Sequence, residues 1–305
     1  MMAEEQPYQK LNVNTVITKR TVSFRRIDFM IHDIDRLELV LTGFAKGESL
    51  AENSDEKKYT WSYMTTMFLC LIDAGIPFHE DVYKLKARLN LMRAKHEHRF
   101  FNPDETYFIP SLFEDIIKNS SSTREDDYML MIPACALALT SLDTDAVLKN
   151  ILYFSQMYDV QTTISCAIIV YIIQGVLNDI PLEDVIHNMN TDLQQFNIDP
   201  FDELFNETIY KNDKNELGVT NSLKSVIKTG IWCAENANTP TDAFNNVYAF
   251  SELLEEDAYI VLSCFVGILE NAIEQKCIPY GKFKNGRVLK RIAEGICEFN
   301  KKTNP

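Results

Sequence analysis

Along most of the chain, apolar residues recur with the period of an α-helix. In the segment TWSYMTTMFLCLIDAG, Met64, Met67, Phe68 and Leu71 fall at positions i, i+3, i+4 and i+7, which share one face of a helix. The same period continues over a stripe of Val82, Leu85, Leu89 and Met92, and over residues 143–157, 162–178, 181–196, 220–236, 240–252, 258–275 and 285–300. The pattern therefore predicts an all-α chain.

The segment at residues 11–31 departs from this pattern. It is rich in Val, Ile, Thr and Phe with partial alternation, which predicts one or two short strands or an extended arm. It contains a basic cluster of Lys19, Arg20, Arg25 and Arg26. This cluster is a solvated face, an intramolecular contact for the acidic remainder of the chain, or an anion site. We expect an irregular or β-containing N-terminal arm over residues 1–34 and one α-helical domain over residues 35–305.

Composition and charge narrow the classes of partner. The chain has 305 residues, 46% hydrophobic and 24% charged, as in globular proteins. Its formal net charge of −14 repels phosphates and anionic lipid, so we expect neither a nucleic acid nor a membrane as partner. The longest apolar stretch, residues 164–177, is shorter than the roughly 18 residues that a membrane span requires. The start, MMAEEQPYQK, does not resemble a secretory signal.

The cysteines indicate a reducing environment. There are seven, with no Cys-x-x-Cys pair, and most of them lie in apolar segments such as FLCLI and ISCAII. This distribution is typical of buried free thiols. We therefore expect a cytoplasmic protein.

Carboxylates before two predicted helices are the most suggestive polar groups. Glu52, Asp55 and Glu56 precede the helix that starts near Thr60, and residues 255–257 form an acidic run before the helix that starts near Tyr259. Acidic side chains at helix N-termini are favoured by the helix dipole. Two such sets from distant segments are also how a chain builds a site for Mg²⁺ or Ca²⁺. Spacing leaves both interpretations open.

Two segments in the first half of the chain resemble signatures of the ADP-ribosylglycohydrolases. LVLTGFAKGESLA, residues 39–51, is similar to the opening helix of that family, of the type LLGLAVGDALG, with Gly43, Gly47 and Glu48 at its Gly, Gly and Asp. TWSYMTTMFLCLIDAG is similar to the family segment TDDTQMALALAEALLE, with Met64 at the Met.

Two later segments continue the resemblance in the same order. The run that begins YMLMIPACALAL resembles a Met-Arg-x-x-Pro followed by a Ser-x-x-Thr-His helix pair; Met129 and Pro133 match, Leu130 replaces the Arg, and Tyr158 takes the place of the His. EDAYIVLSCFVGILENAIEQKCIP is similar to the last signature, GGDTDTIAAITGALAGAYYGLEAIP, with Gly267 retained. The resemblance covers about residues 35–300 and is carried by the order and spacing of the four segments.

The resemblance implies a compact orthogonal bundle of helices with a central cleft, two Mg²⁺ ions and hydrolysis of an ADP-ribose glycosidic bond. Such chemistry needs carboxylates, because hard cations take oxygen ligands and activate the attacking water. Here the ligand positions depart from the family. At its TDDT and at its final Asp-x-Asp-Thr, the chain has Tyr59, Thr60, Trp61 and Ser62, and then Ala258, Tyr259, Ile260 and Val261.

These departures favour a catalytically degenerate member that binds a ligand or a protein partner in or around a vestigial cleft. The expected partner is a protein or an ADP-ribose-like small molecule, and no cofactor is expected. Trp61 is either a platform for the ligand or a core residue. The cleft residues implied by the resemblance are Tyr59, Thr60, Trp61, Ser62, Tyr158, Ala258 and Ile260.

Two other functions remain open. One is an active Mg²⁺-dependent hydrolase with a rearranged metal site, in which Ser54-Asp55-Glu56 is a displaced Thr-Asp-Asp. Its ligands would be Glu48, Asp55, Glu56 and Asp257. The other is a structural scaffold that uses only the fold.

Overall fold

Helices make up nearly all of the regular structure in the part of the chain that the structure describes. The computed structural model describes residues 34–52, 59–76, 80–97, 111–118, 127–140, 160–185, 187 and 214–303. Its helices are α1 (Ile34–Glu52), α2 (Tyr63–Ala74), α3 (Glu80–Glu97), α4 (Ser111–Lys118), α5 (Met131–Ala138), α6 (Val160–Leu177), α7 (Leu223–Glu235), α8 (Pro240–Tyr248), α9 (Glu256–Glu274) and α10 (Gly286–Thr303). These ranges contain no strand, which confirms the all-α prediction. The predicted arm up to residue 33 and the predicted helix at 143–157 lie outside them.

The centre of the fold is a close contact between α1 and α9. A Cβ atom added to Gly43 would lie 2.5 Å from the carbonyl oxygen of Gly267, and one added to Gly47 would lie 2.1 Å from that of Ser263. The two backbones therefore touch. Because residues further along α1 face residues further back along α9, the helices run antiparallel. The hydroxyl of Ser263 donates to the carbonyl of Gly47 at 2.8 Å and joins them.

Helix α2 packs on α1 through the apolar face that the sequence predicts. Met64, Met67, Phe68 and Leu71 are all buried, so that prediction is confirmed. The ring of Phe68 stacks on that of Phe44 in α1, with centroids 4.2 Å apart and planes 11° apart.

Helix α3 forms as predicted but buries a different face. The stripe expected in the core is instead exposed, with Val82, Leu85 and Leu89 at 40%, 57% and 43% of their full accessibility. The buried face contains two small residues, which allow close packing on α2, and consists of Tyr83, Ala87, Asn90, Leu91 and Ala94. The Asn90 amide donates to the carbonyl of Cys70 in α2 at 3.1 Å.

Helix α8 ends at Tyr248, four residues before the predicted end at residue 252. The backbone turns there, since Ser251 N–H donates to the carbonyl of Tyr248 at 3.1 Å and Leu253 N–H to that of Phe250 at 3.0 Å. The turn places Phe250 in the core, where its ring meets that of Trp232 edge to face at 5.8 Å. Packing of Phe250 therefore overrides continuation of the helix.

All seven cysteines are free thiols; six are buried and Cys277 is half-buried. Burial raises the pKa of Cys135, Cys233 and Cys264, which keeps these thiols protonated and unreactive. Among the helices described here, none is both long enough and apolar enough to cross a membrane.

Candidate functional site

The carboxylate of Glu48 binds the N-terminus of α2. Glu48 lies in α1 with no exposed surface. Its Oε1 accepts from the N–H of Met64 at 2.9 Å, and its Oε2 accepts from the N–H of Thr65 at 2.9 Å. Ser62, the residue before the helix, makes no capping bond of its own. Glu48 therefore satisfies donors that a helix N-terminus leaves free, and its negative charge is favoured by the helix dipole.

A hydroxyl links Glu48 to a second carboxylate. Ser62 Oγ lies 2.6 Å from Glu48 Oε1 and 2.5 Å from Glu52 Oε1. These are the lengths of strong hydrogen bonds between a hydroxyl and a carboxylate. Since a serine hydroxyl has one hydrogen, it cannot donate to two ionised carboxylates at once. The two carboxylates therefore compete for the single hydroxyl hydrogen of Ser62.

Burial disfavours the charged form of Glu48. Desolvation raises the pKa of Glu48, against the lowering effect of the hydrogen bonds from Ser62, Thr65 and Met64. Glu52 lies at the exposed end of α1, where its charge is better solvated. The two acids that Ser62 contacts therefore differ in surroundings, since Glu48 is fully buried and Glu52 is exposed.

The segment before α2 is fixed by aromatic packing and backbone pairing. Tyr59 and Phe283 form an isolated parallel bridge, in which Tyr59 N–H donates to the Lys282 carbonyl at 3.2 Å and Lys284 N–H donates to that of Tyr59 at 2.9 Å. The ring of Phe283 lies 5.3 Å from the ring of Tyr59 and 6.1 Å from that of Trp61. Trp61 is only 4% exposed. Its indole therefore packs in the core.

Both segments that resemble ligand signatures meet the second half of α1. Thr60 N–H donates to Ser49 Oγ at 3.2 Å, next to the contacts of Ser62 with Glu48 and Glu52. On the other side, α9 runs antiparallel to α1, so its first turns lie towards the end of α1 that carries Glu52. Ala258 and Ile260 in those turns are buried. Burial is the largest cause of the raised pKa of the Cys264 thiol, and the nearby carboxylates of Glu48 and Glu52 raise it further.

The remaining predicted ligands are only partly placed. Asp257 lies half-buried in the first turn of α9. Asp55, Glu56 and Tyr158 fall outside the described residues. Within the residues that the structure does describe, no group of three or more His, Cys, Asp or Glu side chains is arranged to hold a metal ion.

Two members of this site are not identified as such by the sequence. Glu52 is noted there only as one of several acids before a helix, although its spacing of four residues from Glu48 places both on one face of α1. Phe283 carries no local signal for its role, because its contact with Tyr59 joins segments more than 200 residues apart.

Comparison with known proteins supports the fold. No family model matches the sequence, and no curated protein matches it. The fold, by contrast, matches solved structures. One of them, named as an ADP-ribosylglycohydrolase-related protein complex, has a TM-score of 0.65 and 11% sequence identity, over 88% of this chain and 98% of its own. The chain therefore has an ADP-ribosylglycohydrolase-like fold.

Proposed function

We propose that this chain is a non-catalytic protein with an ADP-ribosylglycohydrolase-like fold, and that it acts by binding a protein partner. The observation that carries the proposal is the use of Glu48. Both oxygens of its carboxylate accept hydrogen bonds from the start of α2, and Oε1 also contacts Ser62. A cation at Glu48 would compete with these internal donors, whose loss would leave N–H groups of α2 buried and unpaired.

The neighbouring side chains support the same conclusion. Two-metal hydrolysis needs several oxygen ligands around ions about 3.5–4 Å apart. Trp61, Ala258 and Ile260, at positions where the resemblance would put carboxylates, are buried and bear no ligand oxygen. Our proposal therefore includes no metal cofactor and no glycosidic bond cleavage.

Burial of Trp61 favours a protein partner over an ADP-ribose-like ligand. A nucleotide base stacks on an aromatic ring that has a free face, whereas Trp61 is 4% exposed and contacts Phe283. The similar structure is named as a protein complex, and we extend assembly to this chain only as part of the proposal. Seven free thiols support a reducing compartment, so we propose a cytoplasmic location.

Incubation with an ADP-ribosylated protein and Mg²⁺ tests this proposal. We expect no release of ADP-ribose above a control without protein, and no heat of binding when ADP-ribose is titrated with or without Mg²⁺. Release that requires Mg²⁺ and is lost in Glu48→Gln would overturn the proposal.

The pair of glutamates at Ser62 favours one second candidate, a hydrolase with a single cation. Ser62 Oγ lies 2.6 Å from Glu48 Oε1 and 2.5 Å from Glu52 Oε1, so a cation there would have oxygen ligands from three residues. Calorimetric titration with Mn²⁺ separates the two candidates. Binding that is weakened in Glu52→Gln would favour the hydrolase, and the absence of binding would favour the non-catalytic protein.

A further inference from the structure

The turn between α8 and α9 exposes two large apolar side chains among acids. Tyr248 is 71% exposed and Leu253 is 60% exposed. Residues 248–257 contain four acids and no Lys or Arg. Exposed apolar surface that is rimmed by polar residues is typical of protein contact sites. We call residues 248–257 the acidic turn.

Three of the four acids leave the acidic turn with an excess of negative charge. Glu252, Glu255 and Glu256 are exposed. Within the described part of the chain, the ion pairs include none of these three carboxylates. Lys214 reaches the turn, where it donates to the carbonyl of Ala249, but one cation does not balance the acids.

The acidic turn is held in a fixed shape by the side chains on its inner side. Phe250 is fully buried and Leu254 is 7% exposed, so both anchor the turn in the core. Backbone N–H groups of Ser251, Leu253 and Leu254 donate to carbonyls of the turn itself. An ordered surface costs less conformational entropy on binding than a loop that must be fixed.

Other exposed apolar residues of the described chain have mixed charges around them. They are Val82, Leu85 and Leu89 in α3 and Ile273 in α9. Helix α3 contains both acids and basic residues, and Lys276 follows Ile273 by three residues. The acidic turn alone among these surfaces calls for an occupant that combines apolar side chains with positive charge only.

Residues 19–26, with the sequence KRTVSFRR, have this combination. The basic pairs Lys19-Arg20 and Arg25-Arg26 enclose two large apolar residues, Val22 and Phe24. No acid occurs between residues 6 and 27. The segment lies outside the described residues and precedes α1 in the chain. We call residues 19–26 the basic segment.

The length of the intervening chain allows the basic segment to reach the acidic turn of the same molecule. Helix α1 begins at Ile34 and has 19 residues, so it is about 28 Å long. Since α9 runs antiparallel to α1, the turn before α9 lies towards the far end of α1. At about 3.3 Å per residue, an extended chain from Ile34 spans about 26 Å to Arg26 and about 50 Å to Lys19. The required distance falls within this range.

We infer that the basic segment docks on the acidic turn of the same molecule. Its two apolar residues cover Tyr248 and Leu253, and its basic pairs face the exposed glutamates. Because both surfaces belong to one chain, their effective concentration is high, and a small contact suffices to hold them together. This inference does not depend on the proposed function.

Photo-crosslinking in the full chain tests the inference. In the variant Tyr248→p-benzoylphenylalanine, irradiation couples position 248 to whatever covers it, and mass spectrometry maps the product. We expect a crosslink to residues 19–26 within a monomer. The matched control is Ile273→p-benzoylphenylalanine, since Ile273 is 50% exposed in α9 outside the turn, and it should not crosslink to the basic segment. Leu253→p-benzoylphenylalanine replaces the first variant if that one does not fold.

Charge reversal separates specific docking from chance collision. Arg25→Glu combined with Arg26→Glu should lower the crosslink yield at least about fivefold, because two attractive pairs become repulsive. Adding Glu252→Arg and Glu255→Arg to the same chain should restore the yield, since the signs are opposite again. Added salt should lower the yield of the parent variant, because the paired charges are exposed. Circular dichroism must show that each variant is folded.

Three results would overturn the inference. The first is a crosslink from position 248 that joins two copies of the chain, which would assign the turn to self-association. The second is the absence of a crosslink to residues 19–26. The third is a yield that stays the same after charge reversal in the basic segment.

Discussion

Glu48 shows how one buried carboxylate can be explained without a ligand. The side chain accepts from two backbone N–H groups at the start of α2, and a hydroxyl connects it to Glu52. Asp127 serves another helix in the same way, since its Oδ1 accepts from the N–H of Leu223 at the start of α7 at 2.7 Å. In both places an acid from another element caps a helix, so capping joins separate elements of the fold.

The first prediction concerns Glu48→Gln. Glutamine has one acceptor oxygen in place of two, so either Met64 N–H or Thr65 N–H faces an amide N–H and stays unpaired. We expect the free energy of unfolding to fall by about 1–3 kcal/mol, measured by urea unfolding. Glu52→Gln is the control and should cost less, because Glu52 lies at the exposed end of α1, where water can replace a lost hydrogen bond. Equal stability of Glu48→Gln and the wild type would contradict the capping role.

The second prediction concerns pH. Burial raises the pKa of Glu48 above its usual 4.5, so the folded protein binds this proton more tightly than the unfolded chain. The stability due to this proton is complete below pH 4.5 and is lost as the pH rises through the folded pKa. The unfolding free energy of the wild type minus that of Glu48→Gln should therefore decrease with pH above 4.5 and then level off. A difference that grows over the same range would show that the pKa is lowered.

Among the helices, the contact between α1 and α9 depends on glycines, which have no side chain. Gly43, Gly47 and Gly267 allow the two backbones to touch, and Asn271 in α9 donates to the carbonyl of Leu39 in α1 at 3.0 Å. This contact also positions Glu48, which follows Gly47 directly. A change of packing between α1 and α9 should therefore displace Glu48.

The third prediction compares two glycines. Gly47→Ala would place a methyl group 2.1 Å from a backbone oxygen of α9, so the helices must separate, at a cost of about 1–3 kcal/mol or more. Gly295→Ala in α10 is the control. Its methyl group meets nothing within 4 Å, so it should stabilise the protein by up to about 1 kcal/mol through helix propensity alone. Thermal unfolding of both variants checks this, and a Gly47→Ala variant as stable as the wild type would refute the close contact.

The end of α9 stores strain that a side-chain cluster offsets. Gln275 has a φ of 54° and Asp179, after α6, has a φ of 60°, both in the left-handed region. Gln275 Nε2 donates to Asp179 Oδ1 at 3.0 Å, and Arg36 in α1 forms an ion pair with Asp179 at 2.5 Å and donates to Gln275. Three helix ends are joined by these bonds.

The fourth prediction ranks two substitutions at Gln275. Gln275→Ala loses the bonds to Asp179 and Arg36 and keeps the unfavourable φ, whereas Gln275→Gly loses the bonds but relieves the strain. The glycine variant should therefore unfold at a higher urea concentration than the alanine variant. We expect its free energy of unfolding to be higher by about 1 kcal/mol. The opposite order would mean that the backbone relaxes out of the left-handed region.

At the scale of the whole molecule, the sequence predicts the helices and the fold better than the contacts. The period of Met64, Met67, Phe68 and Leu71 predicts both a helix and its buried face. In α3 the same reasoning selects Val82, Leu85 and Leu89, because a hydrophobic pattern gives most weight to large apolar side chains. The fold instead buries the side of the helix that carries the alanines. Close packing between helices depends on shape as well as on apolarity, and shape is not visible in a one-dimensional pattern.

The site is predictable to a smaller extent. Glu48 and Ser62 are both singled out by the sequence, one as a ligand and the other as a cleft residue, yet their hydrogen bond spans 14 residues and depends on how α1 meets α2. The contact of Trp61 with Phe283 depends on a pairing between the two ends of the domain. Such contacts follow from tertiary packing, which local sequence does not specify.

We propose that Glu48 caps α2 and holds no metal, and anomalous scattering from crystals soaked in Mn²⁺ tests this. We expect no manganese peak within ligand distance of Glu48, Ser62 and Glu52, and we expect the hydrogen bonds from the N–H groups of Met64 and Thr65 to Glu48 to remain in place. Two manganese ions about 3.5–4 Å apart, with Glu48 as one of their ligands, would contradict it.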